Sequence, residues 1–135
     1  MKLVLNLKKQ SKKLPSLKSL RNKLDKLFNN YIRLRDGQCI LSGLKDHLHC
    51  SHYYDYIQSP NLRYDERNAN AMHRSIHWKH HHGRGPDYSR WMYNNHSKTF
   101  MEKLYRDSLI KKEYTREDYI TLIRKYQKKL EELNI

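Results

Sequence analysis

Two apolar stripes with helical spacing bracket this chain. Leu17, Leu20, Leu24, Leu27, Tyr31 and Leu34 recur at steps of three and four, and Tyr119, Ile120, Leu122, Ile123, Tyr126, Leu130 and Leu133 follow the same period near the other end. Residues three or four apart share one face of an α-helix, so each stripe needs a surface to cover it. Ser16 is placed to cap the first helix, predicted over 16–35 and stopped by Asp36-Gly37. Thr115-Arg116-Glu117-Asp118 approximates a capping box that opens the last helix, with Asp where Glu or Gln is usual. The two helices are expected to pack on each other or, in a homodimer, on a second copy. Between them the texture changes. Short β-like pieces are predicted from Gln38 to about Tyr56 with a turn at Ser42-Gly43, then a loop at Ser59-Pro60-Asn61. A short helix is predicted over Asn70–His82, broken by Gly83-Arg84-Gly85-Pro86. Ser97 is placed to cap a further helix carrying Phe100, Met101, Leu104 and Tyr105 on one side. The expected class is α+β, mostly helical.

Composition limits the size of the core. Of 135 residues 37% are hydrophobic, and eleven of those are tyrosines, so helices and arms are expected rather than a thick globule. Lys and Arg number 28 against 14 Asp and Glu, a net charge of +14. The excess is uneven: residues 1–35 hold eleven Lys/Arg and one Asp, against seventeen and thirteen in 36–135. Residues 1–15 read as a basic arm, with a short strand at Leu3–Leu7. Residues 16–135 read as a single domain: a helix at 16–35, a core at 38–82 and a helical tail at 87–135. A basic leader on a milder body suits a polyanion, because phosphate neutralisation releases condensed counterions. No apolar run is long enough to cross a bilayer, and the first residues are too soon interrupted for a secretory signal, so no membrane is expected. Cys39 and Cys50 are too few for a disulfide scaffold, which points to a reduced, cytoplasmic setting, that of the host cell for a phage-encoded protein.

Eight of the nine histidines fall between His47 and His82. On the predicted helix His73 and His77, and His77 and His81, lie one turn apart, a spacing at which two imidazoles can grip one ion. His52, then Asn68, then His77 matches the HNH signature of the ββα-metal nucleases. Cleaving a phosphodiester requires a water deprotonated near neutral pH, which suits an imidazole, and a cation to neutralise charge on the leaving oxygen. On this reading His52 is the general base, and Asn68 pins the intervening loop. His77 is a metal ligand, with His81 as a second and His49 as a third. A lone histidine is more often a surface or satisfied buried residue, and consecutive His80, His81 and His82 point in different directions. His77-Trp78-Lys79-His80-His81 lacks the Glu of a metalloprotease HExxH.

The surrounding residues resemble the bacteriophage lambda NinG (Rap) recombination-protein family. Leu24 to Asp36 resembles the helix that opens its core. Cys39-Ile40-Leu41-Ser42-Gly43 stands where that family has a Cys-x-x-Cys-Gly knuckle, and Ser51-His52-Tyr53 looks like its Gly-His-Phe. Arg63-Tyr64-Asp65-Glu66-Arg67-Asn68-Ala69 is similar to its Arg-Trp-Asp-Glu-Lys-Asn-Val, and 114–133 fits its closing helix. The resemblance implies a small HNH-like core and a metal-dependent, structure-specific endonuclease that cuts branched DNA in phage recombination. His52 and Asn68 fall on the family's motif His and Asn. His77 replaces an Asn and His49 an Asp, one ligand for another. The family's two Cys-x-x-Cys pairs would hold a structural zinc. Here they read Cys39 and Ser42, then His73 and Ile76. The zinc is therefore expected to be lost, with Cys39 and His73 as its remnants and Ile40, Leu41 and Ile76 packing in its place.

Arg63, Arg67, Arg74, Lys79, Arg84 and Arg90 flank the histidine block and are candidates for phosphate contacts. Tyr53, Tyr54, Tyr56 and Tyr64 are candidates for stacking on unpaired bases, though simple packing accounts for most tyrosines. The leading expectation is an HNH-type endonuclease using one divalent ion, Mg, Mn, Ni or Zn, on branched or junction-like DNA. The alternative is a non-catalytic DNA-binding accessory protein with a degenerate HNH fold. A third reading is a histidine-rich metal binder whose basic arm serves only solubility or membrane contact.

Overall fold

The computed structural model describes residues 14–81 and 85–133, with the side chains of all but 79–81. The basic arm, apart from Leu14 and Pro15, and its expected strand at Leu3–Leu7 lie outside the described residues. Helix α1 spans Leu17–Asp36 and strand β1 spans Leu48–His52. Two single 3-10 turns, Pro60–Leu62 and Glu66–Asn68, lead into strand β2, Ala69–His73. Helices α2 (Arg74–His81), α3 (Gly85–Asn95), α4 (Lys98–Ser108) and α5 (Arg116–Leu133) follow. The architecture is α+β and mostly helical. No helix among the described residues is long and apolar enough to cross a membrane.

Local chemistry accounts for the helix ends. The Ser16 side chain accepts the Ser19 N–H, and Gly37 closes α1 at φ 69°, where a side chain would be strained. Ser97 accepts from the Phe100 N–H. At α5 Thr115 and Asp118 exchange hydrogen bonds reciprocally, so Asp completes the capping box despite its shorter reach.

Helices α1 and α5 pack on each other within the chain, around buried Leu20, Leu24, Phe28, Ile32, Ile123 and Tyr126. The buried face of α1 differs from the predicted stripe. Leu17 and Leu34 are about half exposed at 48% and 51%, while Phe28 and Ile32 are sealed at 1% and 0%. The buried face drifts from the stripe because α1 is covered by the sheet as well as by α5.

The predicted helix over Asn70–His82 is corrected at its start. Residues 69–73 form β2, antiparallel to β1 with His52 opposite Ala69 and Leu48 opposite His73. The helix begins only at Arg74. Asn70 to His73 pair with β1 because Asp36, at the end of α1, accepts the Ala71 N–H at 2.7 Å. Local preference yields to this tertiary anchor. His73 therefore ends a strand and does not share a helical face with His77. Strand β2 lies between two cores: alternation sends Ala69 into the α1–α5 cluster and Met72 into a second cluster with Cys39, Leu62, Tyr88, Met92 and Leu104.

Candidate functional site

The last residue of β1, His52, lines a cleft of about 450 Å³ together with Asp25 and Phe28 of α1, Tyr56 and Arg63 of the following loop, and His77 of α2. Its ring sits between two aromatic rings, stacked on Phe28 at 5.7 Å and edge-on to Tyr56 at 5.1 Å. Nε2 lies 2.8 Å from the Arg63 carbonyl oxygen. A carbonyl only accepts, so Nε2 carries the proton and Nδ1 keeps its lone pair. Burial pushes the His52 pKa below the ordinary imidazole value, against the opposing pull of the Arg63 carbonyl. The ring is thus held neutral, in one tautomer, with a basic nitrogen available.

Asn68 is fully buried and does not line the cleft. Its Oδ1 accepts the Tyr54 N–H at 2.8 Å, and its Nδ2 donates to the Tyr54 and Leu62 carbonyls at 2.9 and 3.3 Å. Its own carbonyl accepts the Tyr53 N–H at 2.8 Å. One amide therefore ties the residues just after His52, and the far end of the loop, to the start of β2.

His49 and His77 come together, with their Nδ1 atoms 3.2 Å apart and their rings nearly perpendicular at 86°. Two imidazole nitrogens on one tetrahedral ion would stand about 3.3 Å apart, given metal–nitrogen distances near 2.05 Å. The spacing suits either a shared proton or a shared cation. Among the described residues no three His, Cys, Asp or Glu side chains converge, so any ligand beyond this pair would come from outside them, from water or from phosphate oxygens. The side chain of His81, the expected second ligand, lies outside the described residues.

Cys39 and His73 sit away from the cleft. The Ser42 N–H reaches Cys39 Sγ at 3.4 Å, and the Gly43 N–H donates to the Cys39 carbonyl at 2.9 Å, so the segment turns tightly around the sulfur. Burial raises the Cys39 pKa, but hydrogen bonds from Ser42, His73 and Leu41 outweigh it and the net shift is downward. His73 Nδ1 accepts the Ser75 N–H, while its Nε2 faces Asp46 at 3.8 Å. Ile40, Leu41 and Ile76 pack against the second core beside Cys39.

The candidate phosphate ligands divide by environment. Arg67 bridges Asp65 and Asp107 at 2.6 and 2.8 Å, which gives it a structural post between the loop and α4. Arg63 forms a two-pronged ion pair with Asp25 and lies over the Tyr56 ring at 4.2 Å, inside the cleft. Arg74 and Arg90 are exposed. The Lys79 side chain and Arg84 lie outside the described residues. Tyr64 is buried and donates to Asp25.

Several residues that build the site escape a reading by motif. Arg35 donates to the Glu66 and Ala69 carbonyls at 2.8 and 2.7 Å, beside Asp36. The Tyr88 hydroxyl donates toward the Ser51 carbonyl, joining α3 to β1. Arg35-Asp36 carries a local signal only as a helix stop, because its partners lie more than thirty residues away. No curated protein and no solved structure matches the chain. The family profile described as bacteriophage lambda NinG protein matches residues 3–135. This chain belongs to the bacteriophage lambda NinG family, and it is with that family a phage recombination-related protein.

Proposed function

We propose that the chain is a metal-dependent, structure-specific endonuclease of the HNH kind, hydrolysing phosphodiester bonds in branched DNA. The observation that carries this reading is the state of His52: a desolvated imidazole, its Nε2–H donated to the Arg63 carbonyl, in a cleft that also takes in His77. Nδ1 of His52 accepts a proton from water as the water oxygen bonds to phosphorus, and the bond to the leaving oxygen breaks. His49 and His77 would hold a divalent cation, with His81 as a further ligand. When bound, that ion neutralises charge on the phosphate and the leaving oxygen. Asn68 acts as a positioning residue, since it touches the loop and not the cleft. Arg74, Lys79 and Arg84 are the proposed phosphate contacts.

The test incubates the purified protein with linear and branched DNA in Mg, Mn, Ni or Zn, beside His52→Ala. The reading requires metal-dependent nicking that falls by about 10²–10⁴-fold in the variant while DNA binding persists. Binding without cleavage under every metal would instead support a non-catalytic accessory protein. Equal cleavage by both proteins would mark a contaminating nuclease and remove the support for His52.

A further inference from the structure

A second groove, between α3 and α4, has no part in the chemistry above. It encloses about 520 Å³ and is lined by Tyr93, Lys98, Met101, Glu102, Tyr105 and Arg106. The period of α4 would turn Tyr105 inward with Met101 and Leu104, yet Tyr105 is 54% exposed while Met101 is buried at 3%. Tyr93, across the groove, is 62% exposed. Two tyrosines thus stand in water over an apolar floor, with a guanidinium and an ammonium beside them. Lys98 approaches Glu102 at only 3.9 Å, both of them well exposed, so the two cations outnumber the one carboxylate in the groove.

The residues that follow His52 pack on the core beneath this groove. Tyr54 lies two residues beyond His52, and both its backbone N–H and its carbonyl are held by Asn68. Burial raises the Tyr54 pKa, and its side chain packs against the second core, whose Met101 also lines the groove.

We propose that this groove is a subsite for an unpaired nucleotide, its base stacked on Tyr93 and Tyr105 and its phosphate met by Lys98 and Arg106. Phenol faces accept any base, and flanking cations suit a sugar–phosphate backbone. The volume is that of a small-molecule site rather than a protein-sized face. The inference deepens the proposed function and rests on DNA being the partner: the groove would take the displaced strand of a branch while a phosphodiester lies in the His52 cleft.

The test measures binding of the full chain, at fixed salt, to a duplex with a single-stranded overhang, and to the same duplex whose overhang is abasic. Wild type is expected to bind the base-bearing overhang on the order of tenfold more tightly. The paired substitution Tyr93→Leu and Tyr105→Leu should abolish that preference, while Tyr93→Phe with Tyr105→Phe should keep it, because phenylalanine retains the stacking face. An unchanged preference in the leucine variant would overturn the subsite. So would a loss of self-association in that variant without any change in DNA preference, which would assign the face to a second copy. The two proposals fail separately. A base preference without cleavage under any metal leaves the subsite standing and removes the endonuclease, whereas cleavage that ignores the overhang bases does the reverse.

Discussion

At the scale of single residues, burial and one hydrogen bond together fix the state of the His52 ring. Desolvation lowers its pKa, and the Arg63 carbonyl selects the tautomer. The folded state therefore binds fewer protons than the unfolded chain between the lowered value and the ordinary one. Stability must rise with pH across that window and be lost as pH falls through it. His96, also lowered by burial, adds to the same trend. Thermal melts should show Tm falling as pH drops from 7 through the ordinary imidazole range. His52→Gln, which keeps a donor for the carbonyl but cannot titrate there, should flatten the dependence. An equally steep fall in the variant would show that other groups carry it. His52 as a candidate was readable from residue type and spacing. Its tautomer was not, because Arg63 lies eleven residues away across a loop.

At the scale of elements, a buried amide ties both ends of the loop from Tyr53 to Leu62, beside the packing of Tyr53, Tyr54 and Leu62 on the second core. Removing that amide would strand the Tyr54 N–H and carbonyl and leave the Leu62 carbonyl with only the Asp65 N–H. Asn68→Ala should cost about 2–4 kcal/mol by chemical denaturation, in line with several stranded buried groups. Asn68→Asp should not restore stability, since a carboxylate cannot donate to two carbonyls. Recovery by Asp would show that the amide acts only through its acceptor oxygen. The helices were legible in outline. Ser16, Gly37, Ser97 and Thr115 each stand at a terminus that their chemistry implies. The second strand was not, because Ala69-Asn70-Ala71-Met72-His73 has no strong strand character of its own. Asp36 and Arg35 reach it from the end of α1 and fix its pairing.

At the scale of the whole molecule, the dominant property is the uneven positive charge. Residues 1–13 contribute five lysines and no acid. If DNA is the partner and this arm lies on phosphates, deleting residues 1–13 should reduce the magnitude of the slope of log affinity against log salt by up to about 4.5, at about 0.9 per phosphate contact. Affinity titrations at several salt concentrations would measure it. A slope unaltered by the deletion would place all phosphate contacts on residues 14–135.

Sequence alone determined the helical frame, the basic character and the spacing of His52, Asn68 and His77. These depend on residue type and on spacing within a few turns, which local geometry converts directly into structure. Tertiary structure decided which histidines meet. His49 pairs with His77 across the sheet edge, while His73, one helical turn from His77 by count, is drawn into β2 and faces Asp46 instead. The physical reason is that strand pairing, as of Leu48 with His73, and carboxylate anchors, as of Asp36 on Ala71, act between segments far apart in the chain, and spacing along it carries no record of them.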